Sequence, residues 1–304
     1  MVFIVSLCFS FTSVFTKILL DKISSSATLF LRFIFVVVTF PIVLKILGKS
    51  TFKELIFISG SELKHFFFLS IFLAGDMILF FNALYFISVS KATFLFLTYP
   101  ILSLILARIF LKESITKTDV IATIISFSGI VVMFWKKIEL QGSKGEIMVL
   151  AASLLWSAYI IMNRYLGETK NHYRKTYWLF LFNAAIILIA LAATKDAISL
   201  YALSFRDMVL LLSLAIFSTL IPYTLLGYAA KYVKSSTSSI ILLLGPIFGI
   251  LLSFIILKER PPLGTLIGGF FILISAFIST YSVEKLLEAS KRFPKKIKSM
   301  LFWM

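Results

Sequence analysis

Two segments decide the fold: YPILSLILARIFLKE, residues 99–113, and GPIFGILLSFIILKE, residues 245–259. Each places a proline at the head of an apolar stretch of helical length and closes on Lys-Glu. Pro100 and Pro246 stand 146 positions apart. The same offset carries Ile101 onto Ile247, Ile109 onto Ile255, and Leu111-Lys112-Glu113 onto Leu257-Lys258-Glu259. Upstream it carries Ala83 onto Ala229. The chain writes one unit twice.

The solvent for that unit follows from composition. Of 304 residues 60% are hydrophobic and 14% charged, with a mean hydropathy of +1.02. A soluble domain devotes about a quarter of its residues to charge. Here the charges gather in short clusters between apolar runs long enough to cross a hydrocarbon core, which takes about 20 helical residues. The sequence therefore predicts an all-α polytopic membrane protein. Period-2 alternation of the kind a membrane barrel needs is missing from the runs.

About ten spans are expected, roughly at 2–20, 27–47, 66–87, 91–111, 118–135, 145–164, 177–194, 207–230, 237–257 and 263–283. The apolar N-terminus reads as the first of these. It lacks the basic leader region and clear cleavage site of a signal peptide. The offset maps span 1 onto span 6 and span 5 onto span 10, so ten spans divide into two fives. Five is odd, and the second five must then enter the membrane from the other side, as two inverted five-helix repeats. The expected organisation is a first repeat over 1–141, a second over 142–283 and a basic cytoplasmic tail over 284–304. With the N-terminus placed inside, 19 of the 30 Lys and Arg fall in inside segments and 10 in outside ones, with Arg32 inside a span. By the positive-inside bias both termini are expected in the cytoplasm and the chain in the cytoplasmic membrane.

The net charge of +16 has its plain cause in that loop bias. No basic module interleaved with aromatics is present, and no nucleic-acid partner is expected. Cys8 is the single cysteine and lies in the first apolar run, so neither a disulfide framework nor a CxxC metal pattern is written here. No metal or other cofactor is expected.

At this point the residues resemble a known family. The run ALYFISVSKATFLFLTYPILSLILARIFLKE and its counterpart AAKYVKSSTSSIILLLGPIFGILLSFIILKER are similar to the EamA domain of the drug/metabolite transporter superfamily. Further matches are Arg32-Phe33 early in span 2 and LLWSAYIIMNR, residues 154–164, opening the second repeat. Trp156 supplies the aromatic often found early in such a repeat, whereas Ser10 stands at the matching place in the first. The resemblance implies a basket of helices around a central cavity, lined mainly by spans 1, 3, 4, 6, 8 and 9. It implies transport of amino acids, other metabolites or drugs, often outward, by alternating access without an ATPase domain.

The residues themselves supply candidates for that cavity. Asp76 lies near the middle of span 3, where a charged side chain costs at least ~2.5 kcal/mol and normally faces a cavity or a partner. It makes a proton a candidate coupling ion. Lys17, Arg32 and Lys91 sit toward the outer ends of spans 1, 2 and 4, near Asp76 and Asn82. Cations converging there suit an anionic group; the plainer reading is that each snorkels to the interface. Tyr99, Trp156, Tyr159, Asn163 and Tyr228 offer polar or aromatic tips on apolar spans. Pro100 and Pro246 each free the carbonyl four residues earlier, on Phe96 and Leu242, and predict a kink or hinge at mid-membrane. The GxxxG spacings at Gly245–Gly249 and Gly264–Gly268 predict close packing within the bundle.

These features predict a secondary transporter of small polar metabolites, amino acids or related compounds, working in the direction of export as a monomer or homodimer. Efflux of lipophilic cations is the alternative, with Asp76 its one acidic anchor. A membrane-embedded enzyme would need paired intramembrane acids or a metal motif. His65 and His172 instead fall in expected loops, and no enzyme activity is expected.

Overall fold

The computed structural model describes residues 1–19, 22–135, 142–168, 171–194, 203–258 and 263–289. All its regular elements are helices. The first half holds α1 (Val2–Leu19), α2 (Ser25–Ile46), the short α3 (Phe52–Ile56), α4 (Gly60–Ala83), α5 (Val89–Phe96), α6 (Tyr99–Phe110) and α7 (Lys117–Phe134). The second holds α8 (Lys144–Tyr165), α9 (His172–Thr194), α10 (Phe205–Ala215), α11 (Ile221–Ala229), α12 (Ser235–Leu242), α13 (Leu244–Leu257) and α14 (Leu263–Ala289). A π-helical turn, Ile216–Leu220, joins α10 to α11.

Local chemistry starts several of these helices. Thr51-x-x-Glu54, Ser59-x-x-Glu62, Thr116-x-x-Asp119 and Ser204-x-x-Asp207 are capping boxes in which the side-chain oxygen of each residue accepts from the free backbone N–H of the other. The first of these sits in the expected 48–65 loop, where it nucleates α3.

Nine helical stretches among the described residues are long and apolar enough to cross a membrane. The first expected span corresponds to α1, whose segment Val2–Thr12 is a shorter apolar helix among the described residues. The bundle has an apolar core in which small hydroxyl residues are also buried, and its outside is apolar. Ser6, Ser70, Ser153, Ser157 and Ser239 are buried, while Val38, Ile124, Ile189, Phe270 and Phe277 point outward and are exposed. Small hydroxyl residues let helices approach and bond inside a bundle whose outer surface meets lipid. The basic tail begins within α14, and residues beyond Ala289 lie outside the described ones.

Helix boundaries repeat at the 146-residue offset. The bounds of α5 become those of α12, α1 and α8 end at matching places, and so do α4 and α11. Lys112 and Lys258, also at matching places, are the two non-glycine residues with positive φ among those described, at +52° and +56°. Such a conformation is uncommon for a residue with a side chain, so the two Lys-Glu corners share one backbone turn. In the first corner this turn lets the Glu113 N–H reach the Ala107 carbonyl at 3.2 Å. Glu259 lies outside the described residues.

Packing between the halves is reciprocal. α1 lies against α11 and α13, and α8 lies against α4 and α6; α2 meets α9, and α7 meets α14. Each half thus lends its first helix to the other. The α7–α14 crossing is closest at Gly129 and Gly268, where a Cβ added to Gly129 would stand 2.6 Å from the Gly268 carbonyl oxygen. Of the expected GxxxG glycines, Gly268 therefore serves packing within the bundle.

Candidate functional site

The middle of the bundle is organised by two broken helices. Pro100 and Pro246 lack the N–H a continuous helix would need, and the structure breaks between Phe96 and Tyr99 and between Leu242 and Leu244. Groups at the breaks find partners on the opposite half. Ser6 Oγ donates to the Leu242 carbonyl at 3.4 Å, the carbonyl that Pro246 strands. Ser157 Oγ donates to the Tyr99 carbonyl at 3.0 Å. The Tyr99 hydroxyl donates to the Ser239 carbonyl at 3.0 Å. Each break is bonded to a helix from the other half.

Around the breaks stands an aromatic cluster. Trp156 and Tyr159 stack with ring centroids 5.3 Å apart, and Tyr159 meets Tyr223 edge-on at 6.0 Å. Phe9 from α1 touches Trp156 and Tyr223, while Tyr99 reaches Trp156 from α6. The Tyr159 hydroxyl is buried without a hydrogen-bond partner among the described residues, an uncommon state for a polar atom.

Asp76 joins this centre from α4. Its side chain is buried, and it makes no ion pair or hydrogen bond among the described residues. Tyr223 lies within electrostatic reach of both Asp76 and Arg32. Asp76 packs beside a tight helix contact, since a Cβ on Gly75 would meet Leu155 Cδ1 at 2.9 Å.

Arg32 is also buried, at 4% exposure, so it does not snorkel. Its Nη2 donates to the Ser218 carbonyl at 2.7 Å and its Nε to Thr219 Oγ1. Ser218 precedes Pro222 by four residues, so Pro222 leaves that carbonyl without a helical donor. The π-turn widens the helix at this place, and the guanidinium fills the vacancy. This contact joins α2 to the α10–α11 break across the two halves.

The remaining predicted residues divide. Lys91 makes an ion pair with Glu146 on α8, and both side chains are nearly buried; Glu146 also accepts from the Gly142 N–H at 2.7 Å. Asn82 Nδ2 donates within its own helix to the Ile78 carbonyl at 2.8 Å. Tyr228 is partly exposed and accepts from the Tyr232 hydroxyl at 3.4 Å. Lys17 lies on α1, and its side chain is outside the described residues. The three expected outer cations therefore show two separate partners, with the third undescribed.

Asn163 leads to a residue the sequence reading placed in a loop. Its Oδ1 accepts from Lys175 Nζ at 2.9 Å, and the Gly227 carbonyl accepts from the same ammonium at 3.4 Å. Lys175 is 2% exposed and belongs to α9, which begins at His172, earlier than the expected start of span 7. Beside Asn163 lies a small void lined by Ile160, Leu226, Val233, Ser235 and Ser238. Closing that end of the bundle, Glu113 pairs with Arg164 at 3.6 Å and accepts from the Ser235 N–H at 3.2 Å.

Buried polar groups and an aromatic cluster thus meet where the two halves pack against each other. The model of the EamA-like transporter family matches residues 1–135 and again 143–281. The chain belongs to this family and is a multi-pass membrane transporter. It is 26% identical over 208 residues to an uncharacterized transporter of Clostridium kluyveri, covering 66% of this chain and 67% of that one. It is 25% identical over 185 residues to the uncharacterized transporter YyaM of Bacillus subtilis (strain 168), covering 57% and 60%. A crystal structure superposes with a TM-score of 0.79 at 15% identity, covering 94% of this chain and 96% of the other; that likeness concerns the fold alone.

Proposed function

We propose that this chain is a secondary transporter exporting small polar metabolites, amino acids or related compounds, across the cytoplasmic membrane by alternating access. In this reading the halves are inverted repeats and both termini face the cytoplasm. Reciprocal packing and the matched helix boundaries support the repeat; the lysine and arginine bias supports the orientation. Asp76 carries the site assignment. An unpaired carboxylate buried where the halves meet costs stability, and a polar ligand or a proton supplies the missing partner.

The aromatic neighbours of Asp76 favour a second reading, efflux of a lipophilic cation, because such rings and a carboxylate together attract one. Reconstituted vesicles separate the two. They are loaded in turn with an amino-acid panel and with lipophilic cations, with and without a pH gradient. Asp76→Asn is expected to insert and fold with a melting temperature no lower than the parent, while transport falls at least tenfold. Undiminished transport takes Asp76 out of the pathway, and movement of the cations alone establishes the second reading.

A further inference from the structure

Lys175 is a costly residue to bury, at 2% exposure. Its ammonium is buried, and its two partners, Asn163 Oδ1 and the Gly227 carbonyl, are neutral oxygens. No Asp or Glu pairs with it among the described residues. An ammonium in a low-dielectric interior normally takes a carboxylate partner, because dipoles alone replace its hydration poorly.

The surroundings deepen the deficit. The His172 imidazole lies within electrostatic reach of both Lys175 and a second ammonium, Lys231. Arg164 is committed to Glu113. Snorkelling does not account for the side chain, since it turns into the bundle toward α8 and α11. Asn163 lies one helical turn beyond Tyr159, and Gly227 one turn beyond Tyr223, so the ammonium continues the face that carries the aromatic centre.

We propose that Lys175 and Asn163 form the seat for an anionic group of the transported compound, a carboxylate, occupied when the Arg164–Glu113 end of the bundle opens. The ammonium supplies the charge, and the Asn163 amide adds an N–H donor once its oxygen is released. The adjoining void is small in this conformation, and opening the Glu113 contacts to Arg164 and Ser235 widens it. This inference rests on the small-metabolite reading and adds the chemical group that is recognised.

The test is thermal unfolding of the purified full chain with the proteinogenic amino acids, each as free acid and as amide. At least one free acid is expected to raise the melting temperature of the parent, and its amide to bind at least tenfold more weakly. K175M is expected to lose this discrimination, whatever stability it forfeits by stranding the Asn163 and Gly227 oxygens. K175R is expected to retain the preference for the acid. Amides that stabilise as well as acids overturn the proposal while leaving the metabolite reading intact. So does a K175M protein that keeps the preference. Failure of acids and amides alike overturns both.

Discussion

The Tyr99 hydroxyl bonds to the Ser239 carbonyl at 3.0 Å, linking the helix break of one half to the helix break of the other. The two residues lie 140 positions apart in sequence, and both are buried. Tyr99 opens α6 immediately before Pro100, and Ser239 lies in the last turn of α12, so each flanks one of the two breaks. A side chain from one break thus satisfies a backbone oxygen near the other.

Replacing Tyr99 by Phe removes this bond and leaves the ring in place. The expected loss is about 1–3 kcal/mol, the cost of a buried carbonyl left without its donor. Thermal unfolding in detergent measures it. A change below about 0.5 kcal/mol would mean that water replaces the hydroxyl, the usual size of an inconsequential substitution.

Arg32 and Pro222 make a sharper case, because the proline creates the vacancy that the arginine fills. Arg32→Met is expected to cost about 1–3 kcal/mol through the stranded Ser218 carbonyl. In a Pro222→Ala background the new N–H can serve that carbonyl, and the same Arg32 substitution should cost less than half as much. A double-mutant cycle reads this coupling. Simple additivity would show that the guanidinium matters through some other contact.

Orientation is decided at the Lys-Glu corners. Lys112 and Lys258 are both exposed. Single cysteines at these positions, in a Cys8→Ser background, report their sides of the membrane to an impermeant thiol reagent. Inverted halves require opposite sides. Labelling of both from one side would defeat the inversion and the symmetric exchange mechanism with it.

Much of this was legible in the sequence because lipid makes spans obvious and because the repeat is written in side chains that dictate backbone. Pro100 and Pro246 announced the helix breaks, and Leu-Lys-Glu announced the corners. The connections made by Arg32 were not legible. Its partners lie 186 and 187 residues away, and a π-turn leaves no compositional mark apart from Pro222. Lys175 was read as a loop cation because apolar content begins at Tyr177, whereas the helix begins at His172. The signal available was Asn163, a second polar residue on an apolar helix. Lys91 was placed with the cavity because sequence shows a cation in a span but cannot show Glu146 waiting on a neighbouring helix.

The exchange of first helices between halves has a consequence for biogenesis. α1 is synthesised well before the helices it packs against, α11 and α13, which end at Ala229 and Leu257. Its buried face, including Ser6 and Cys8, must therefore wait in the bilayer through most of synthesis, because its main partners belong to the other half. Splitting the gene between the repeats would leave each product carrying an orphaned first span, and co-expression would have to reunite them.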